Sequence, residues 1–139
     1  MFKRINKVSK KVVEEIIREE LKKHREILFA YLHSSFVKKD TFRDIDVAIY
    51  IEKMSVSILE YELEMETELM KVLKKYIVDV RVLNTAPLSF KYNVLKEGKE
   101  LLVKDNDKRV DFEEKTIVFY LDFLPYLNLY LKETLNVEI

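Results

Sequence analysis

Asp44, Asp46 and Asp79 are the residues of this chain whose type and spacing could do chemistry. The first two open the run Asp44-Ile-Asp-Val-Ala-Ile-Tyr-Ile51, and the third sits inside Ile77-Val-Asp-Val-Arg-Val-Leu83. Residues two apart on a strand point to one face, so Asp44 and Asp46 share a side. Aspartate is depleted from strands and costly to bury unpaired. A bound divalent cation is one way to offset that cost, and hard carboxylate oxygens suit magnesium. Ser34 and Ser35 follow an earlier apolar run, and their hydroxyl and backbone N–H groups suit phosphate oxygens. Lys38, Lys39 and Arg43 bring charge that would attract a triphosphate, although loop cations are more often simply solvated. Carboxylates converging on one sheet face suit two-metal chemistry on phosphates. The reaction so predicted is nucleotidyl transfer, in which a hydroxyl attacks the α-phosphate of a nucleoside triphosphate and pyrophosphate leaves. Asp79, the separate acid, is the natural group to orient or deprotonate that hydroxyl.

Positioning these groups requires two strands with matching parity. Asp44 and Asp46 lie opposite Val47, Ile49 and Ile51, and Asp79 lies opposite Val78, Val80 and Val82. If the strands pair, one face is a Val/Ile core and the other gathers all three carboxylates. Around them the spacing predicts a helix from Ser9 to His24, with Val12, Val13, Ile16, Ile17 and Leu21 on one stripe. A strand follows over residues 27–33. Ser57 and Glu60 have capping-box spacing and open a second helix to Tyr76. Thr85 and Pro87 start a short helix that Gly98 ends. A long helical pattern begins near Asp107, with Pro125 as a kink or break. The order implies an α+β fold, a small sheet covered by helices on its Val/Ile face.

Composition bounds the rest. The 139 residues suit a single domain spanning 1–139, with a C-terminal helical extension over about 107–139. Lysine plus arginine balances aspartate plus glutamate at 25 each, which disfavours a dedicated nucleic-acid binder. No cysteine occurs, which excludes disulfides, thiolate catalysis and zinc–thiolate sites. No apolar stretch has the length of a membrane span and no signal core follows the charged start, so the expected compartment is the cytoplasm. One glycine, two prolines and a 36% charged fraction would also suit surface ion-pair networks of the thermophilic kind.

These residues resemble the minimal nucleotidyltransferases of the DNA polymerase β-like superfamily, whose signature is Gly-Ser, a variable loop, Asp-x-Asp and a later Asp. Ser34-Ser35 stand at the Gly-Ser positions, Asp44-Ile-Asp46 at the pair and Asp79 at the third acid. The chain is most similar to MntA-type antitoxins encoded beside HEPN-domain toxins, through Val78-Asp-Val-Arg-Val-Leu-Asn-Thr-Ala-Pro87, Tyr92-Asn-Val-Leu-Lys-Glu-Gly98, Arg109-Val-Asp-Phe-Glu113 and Tyr120-Leu-Asp-Phe123. The resemblance implies a nucleotidyltransferase fold: a small mixed sheet with helices packed on one face and a long C-terminal helical region. It implies ATP and Mg2+, AMP transfer to a tyrosine of a partner HEPN toxin, and a hetero-oligomer with that toxin. Asp44, Asp46 and Asp79 would be the metal-binding and catalytic acids, with Ser34, Ser35 and Arg43 toward the nucleotide. One departure stands out: serine occupies the family's glycine position at Ser34. A serine at positive φ costs about 1–2 kcal/mol, and its side chain would crowd a triphosphate.

Other readings of the same residues remain open at this level. Asp44 and Asp46 could be surface acids on a solvated strand edge, Asp79 a partner of Arg81, and the serines plain turn formers. His24 and His33 have no metal-ligand spacing and read as structural. Phe119, Tyr120, Phe123, Tyr126 and Tyr130 most often mean core, yet exceed what one helix face needs and suit a partner surface. For function, a scaffold that neutralises a toxin by binding alone competes with the enzyme, and transfer to a small molecule is a third reading.

Overall fold

The computed structural model describes residues 3–135 except positions 5, 6, 40, 43 and 54, and only the backbone of 3, 4, 7, 8, 35, 41 and 42. Its elements run β1 (Lys3–Arg4), α1 (Lys7–Lys22), β2 (Ile27–His33), α2 (Ser35–Lys38), β3 (Thr41–Phe42), β4 (Ile45–Ile51), α3 (Ile58–Leu73), β5 (Val78–Val82), a 3-10 turn (Leu83–Thr85), α4 (Leu88–Glu97), β6 (Lys99–Val103) and α5 (Asn106–Leu135). Four strands form one sheet in the order β5-β4-β2-β6. The pair β4/β5 is parallel and the other two pairs are antiparallel, so the sheet is mixed. A separate two-residue ribbon joins β1 to β3.

The expected parity holds. Ile45, Val47, Ile49 and Ile51 of β4 and Val78, Val80 and Val82 of β5 share one buried cluster. Over it lie α1, through Val13, Ile17 and Leu21, and α3, through Tyr61, Met65, Leu69 and Leu73. The four α3 residues recur every fourth position, which places them on one stripe. Helices on the Val/Ile face are therefore α1 and α3, as the pattern predicts. A second cluster lies on the opposite face, built from Phe29, Tyr31, Ala48, Leu83, Val94 and Phe112, and here α4 and α5 pack. The one-face expectation misses it because β2 is apolar on both sides, so its alternation carries no signal.

Helix boundaries differ from the expectation where local chemistry decides. Ser57 caps α3, its Oγ accepting the Glu60 N–H at 3.4 Å. The helix stops at Leu73 rather than Tyr76 because Lys74 turns to φ 64°, its N–H still donating to Met70. Thr85 belongs to the 3-10 turn, and α4 starts after Pro87 without a side-chain cap. Pro125 does not break α5, which runs through it as one helix. Pro125 and Leu121 are both exposed, so the backbone carbonyl that loses its N–H partner faces water rather than core. Asp105 caps α5, accepting the Lys108 N–H at 3.1 Å.

Sheet edges carry their own protection. On the outer side of β5, the N–H groups of Val80 and Val82 donate to Glu66 and Glu62 of α3, both at 2.9 Å. Two glutamates one turn apart thus serve a strand edge that would otherwise template pairing with another chain. The chain's one glycine, Gly98, links α4 to β6. A Cβ there would meet the backbone carbonyl of Val94 and that of Leu32, the latter at 2.9 Å. Neither carbonyl can swing aside as a side chain would. Gly98→Ala is expected to cost about 1–3 kcal/mol, measured as a lower urea midpoint at unchanged slope.

Candidate active site

Asp46 sits in the middle of a row that crosses three strands. Its register partner in parallel β5 is Asp79 and its partner in antiparallel β2 is His33. Directly opposite residues point to the same face, so His33, Asp46 and Asp79 line up on the side away from the Val/Ile core. Asp44 precedes β4 and is half-buried. It couples to the row: burial pushes the Asp46 carboxyl up to about 6, with Asp79 and Asp44 adding like-charge repulsion. A hydrogen bond from Ser34 and the charge of Arg81 oppose that rise. Asp46 and Asp79 are thus set side by side with Asp44 within electrostatic reach, although the ligand atoms of the three do not all lie within 4.8 Å of one another. Their mutual repulsion is what a divalent cation would relieve, and their donors are the hard oxygens that Mg2+ prefers.

Ser34 forms the turn between β2 and α2 at φ 65°, the left-handed value expected from its glycine-like position. Its carbonyl accepts the Val37 N–H at 3.1 Å. Ser35 begins α2. Arg43 lies outside the described residues. Lys38 is tied to Glu97, and Lys10 donates to the Lys39 carbonyl at 2.5 Å. Arg81 Nε is 3.9 Å from Asp79 Oδ1, and its guanidinium lies 5.9 Å from the Phe90 ring centre. Both ionic groups are well exposed, and such a pair contributes little.

Some groups escaped the sequence reading. His33 is buried, which pulls its imidazole down to about 4 against the attraction of Asp79. Burial raises Glu66, and its hydrogen bond to Asp79 raises it further while the Val80 N–H opposes. Beside the row lies a cavity of about 460 Å3 lined by His33, Ser34, Lys38, Phe90, Asn93, Val94 and Glu97. A larger cavity of 610 Å3 lies at the far end of β4 and holds none of the acids. Only β2/β4 register could have exposed His33, because it ends its strand as an ordinary polar residue. His24, expected to be structural, has its ring held by Glu68 and by Glu26, the latter at 3.3 Å, and with Glu20 and Glu68 it forms a group whose possible ligand atoms lie within 4.8 Å of one another.

The raised carboxyl has a signed consequence for stability. Asp46 in the metal-free fold holds its proton up to about pH 6, against a usual value of 3.8. The native state thus binds more protons between these values, and this contribution to stability falls as pH rises through that window. His33, pulled from 6.5 to about 4, acts in the opposite sense over nearly the same range. Asp46→Asn is therefore expected to stabilise the metal-free protein at pH 7 by on the order of 1 kcal/mol, screening at a half-exposed group taking much of the ideal value. Urea titrations without divalent cations should show that gain shrinking toward pH 4.

A mixed sheet with an acidic row at the mouth of β4 and a left-handed serine turn after β2 is the nucleotidyltransferase arrangement. The chain belongs to the "Polymerase beta, Nucleotidyltransferase" family, whose model matches residues 15–107. No protein of curated function matches it by sequence. Among solved structures it is similar to a chain of the tri-AMPylated Shewanella oneidensis HEPN toxin in complex with MNT antitoxin, at 22% identity and TM-score 0.72, covering 91% of this chain and 98% of that one. A toxin–antitoxin structure with AMP-PNP gives 23% identity and TM-score 0.73, covering 88% and 98%. The toxin–antitoxin MntA-HepT gives 21% and 0.71, covering 90% and 98%.

Proposed function

We propose that this chain is a magnesium-dependent nucleotidyltransferase that moves AMP from ATP to a tyrosine hydroxyl of a partner HEPN toxin, and so acts as its antitoxin. The observation that carries this reading is the register that sets Asp46 beside Asp79 with Asp44 in electrostatic reach. Asp44, Asp46 and Asp79 would hold Mg2+. When bound, the metal supplies charge neutralisation at the reacting phosphate. Asp79, at the exposed side of the row, orients the acceptor hydroxyl and takes its proton. Ser34, Ser35 and Arg43 are the residues this reading assigns to the nucleotide. Residues 1–139 act as one domain, with α5 as its extension.

The structural neighbours support the nucleotide and the partner: an AMP-PNP complex, an AMPylated toxin, and toxin–antitoxin assemblies. So does α5. Of the two readings of its aromatics, core or partner surface, the exposure of Phe119, Phe123, Tyr126 and Tyr130, alongside Val118, Leu121 and Leu129, favours the second. Tyr120 instead stacks on Tyr92 at 3.8 Å. An apolar helix surface of this extent fits a protein partner. Among the described residues no helix is long and apolar enough to cross a membrane.

One observation favours the second reading, neutralisation by binding alone: a serine side chain occupies the turn where the family has glycine. Incubation with labelled ATP, Mg2+ and the HEPN protein of the adjacent gene separates the two. Label on the HEPN protein supports transfer; a tight unlabelled complex supports binding alone.

A further inference from the structure

Glu20, His24 and Glu68 form a mixed imidazole–carboxylate set on the other side of the sheet from the acidic row. His24 follows Glu20 by one helical turn at the end of α1, its N–H still donating to Leu21 at 3.1 Å, and Glu68 meets the pair from α3. The possible donor atoms of the three all lie within 4.8 Å of one another. Both helices cover the Val/Ile face, whereas His33, Asp46 and Asp79 line the opposite one. The set also stands before the start of β2, and the acidic row crosses that strand at its last residue, His33.

What separates this set from ordinary surface acids is how its histidine is held. Glu26 Oε2 lies 3.3 Å from Nδ1 of His24 and accepts the Tyr61 hydroxyl at 2.5 Å. A carboxylate behind one ring nitrogen is the arrangement that orients metal-ligating imidazoles. The other nitrogen, Nε2, is thereby aimed at Glu68, which it contacts. The backbone at His24 is fixed as well: Lys104 Nζ donates to its carbonyl at 2.5 Å and to that of Lys22 at 3.2 Å. Glu20 supplies an independent sign. It is only 9% exposed, and the cation that meets it, Lys23, lies largely in solvent. A carboxylate buried with so little compensation is costly, and an ion bound beside it would offset that cost.

An ion also has a way in. The His24 and Glu68 side chains are 25% and 36% exposed, and a cavity of about 280 Å3 opens beside them, with Glu64 on its wall. Around a tetrahedral zinc ion, nitrogen and oxygen donors at about 2.0–2.2 Å stand roughly 3.4 Å apart, so small side-chain rotations close the set. Imidazole suits zinc-type ions, whereas Mg2+ prefers oxygen donors alone. The sequence hides this set because spacing between the two histidines does not test a histidine whose partners are glutamates.

We propose that Glu20, His24 and Glu68 bind a divalent transition ion of the zinc class, which clips α1 to α3 and is separate from the Mg2+ of the transfer reaction. The fourth position is open to water or to Glu64. This site does not depend on the nucleotidyltransferase reading.

The test is equilibrium dialysis of the whole chain against micromolar Zn2+ in the presence of millimolar Mg2+. Wild type is expected to retain one Zn2+ per chain, and Zn2+ should raise its thermal midpoint. His24→Gln and Glu68→Gln should each weaken retention by at least on the order of tenfold, as should Tyr61→Phe, which frees Glu26. Asp46→Asn should leave retention unchanged. Glu68→Gln, at a partly exposed helix position, serves if His24→Gln fails to fold. A wild-type chain that retains no Zn2+ overturns the site. So does retention that Asp46→Asn removes while His24→Gln and Glu68→Gln do not, since the ion then belongs to the acidic row. Displacement of Zn2+ by Mg2+ alone overturns the assignment of the imidazole as a ligand.

Discussion

Asp46→Asn is expected to slow AMP transfer by on the order of 10³-fold, since metal-assisted charge stabilisation is worth several kcal/mol, while the metal-free fold becomes more stable. The two effects share one cause. Asp46 is half-buried between His33 and Asp79, and its carboxyl is pushed up to about 6 by burial and by neighbouring acids. Asparagine keeps the shape and removes the charge. A purely structural acid would show the reverse, with stability lost and nothing else changed. Opposite signs in a urea titration and a transfer assay on the same variant therefore mark a residue kept for its chemistry at the expense of the fold. Asp79→Asn should share the loss of transfer, because it sits next in the row and adjoins Glu66.

Phe29→Ala is expected to cost about 3–5 kcal/mol, a large share of the roughly 5–15 kcal/mol that a domain holds. Phe29 is fully buried on the same sheet face as the acids. It stacks on Tyr50 with ring centres 4.7 Å apart, and its centre is 5.5 Å from that of Phe112 in α5 and 6.0 Å from that of Tyr31. Removing it leaves a cavity where α4 and α5 meet the sheet, and the aromatic walls cannot collapse inward without leaving their own contacts. Denaturant unfolding measures the loss. Val12→Ala, at an exposed position of α1, should by contrast stay within about 0.5 kcal/mol.

The acidic row was legible in the sequence because three physical signals agree: period-two alternation, β-branched neighbours and the rarity of aspartate in strands. Positions 45–51 and 78–82 have all three, so parity placed Asp46 and Asp79 on one face before any pairing was known. The left-handed turn was legible too, since Ser34 follows a strand and stands where glycine is usual. What stayed hidden depends on pairing. Lys99 and Glu100 open β6 with exposed charges, which masks a strand that register with β2 makes plain. The second core escaped because Phe29 and Tyr31 lie in a strand that is apolar on both faces. His33 looked like an isolated polar residue until β2 set it opposite Asp46. Glu62 and Glu66 looked like solvated helix charges, although they serve the edge of β5. The aromatics of α5 were legible only as an excess over what a core needs, because hydrophobicity alone does not say which of them face a core and which a partner.

The central claim is that the chain silences its partner by modification rather than by occlusion. The most direct measurement is the intact mass of the HEPN protein purified after co-expression with this chain. The account predicts a partner heavier by one or more AMP groups, and an unmodified partner when Asp44→Asn and Asp46→Asn are introduced together. A silenced partner of unmodified mass, held in a stable complex with the wild-type chain, would contradict it.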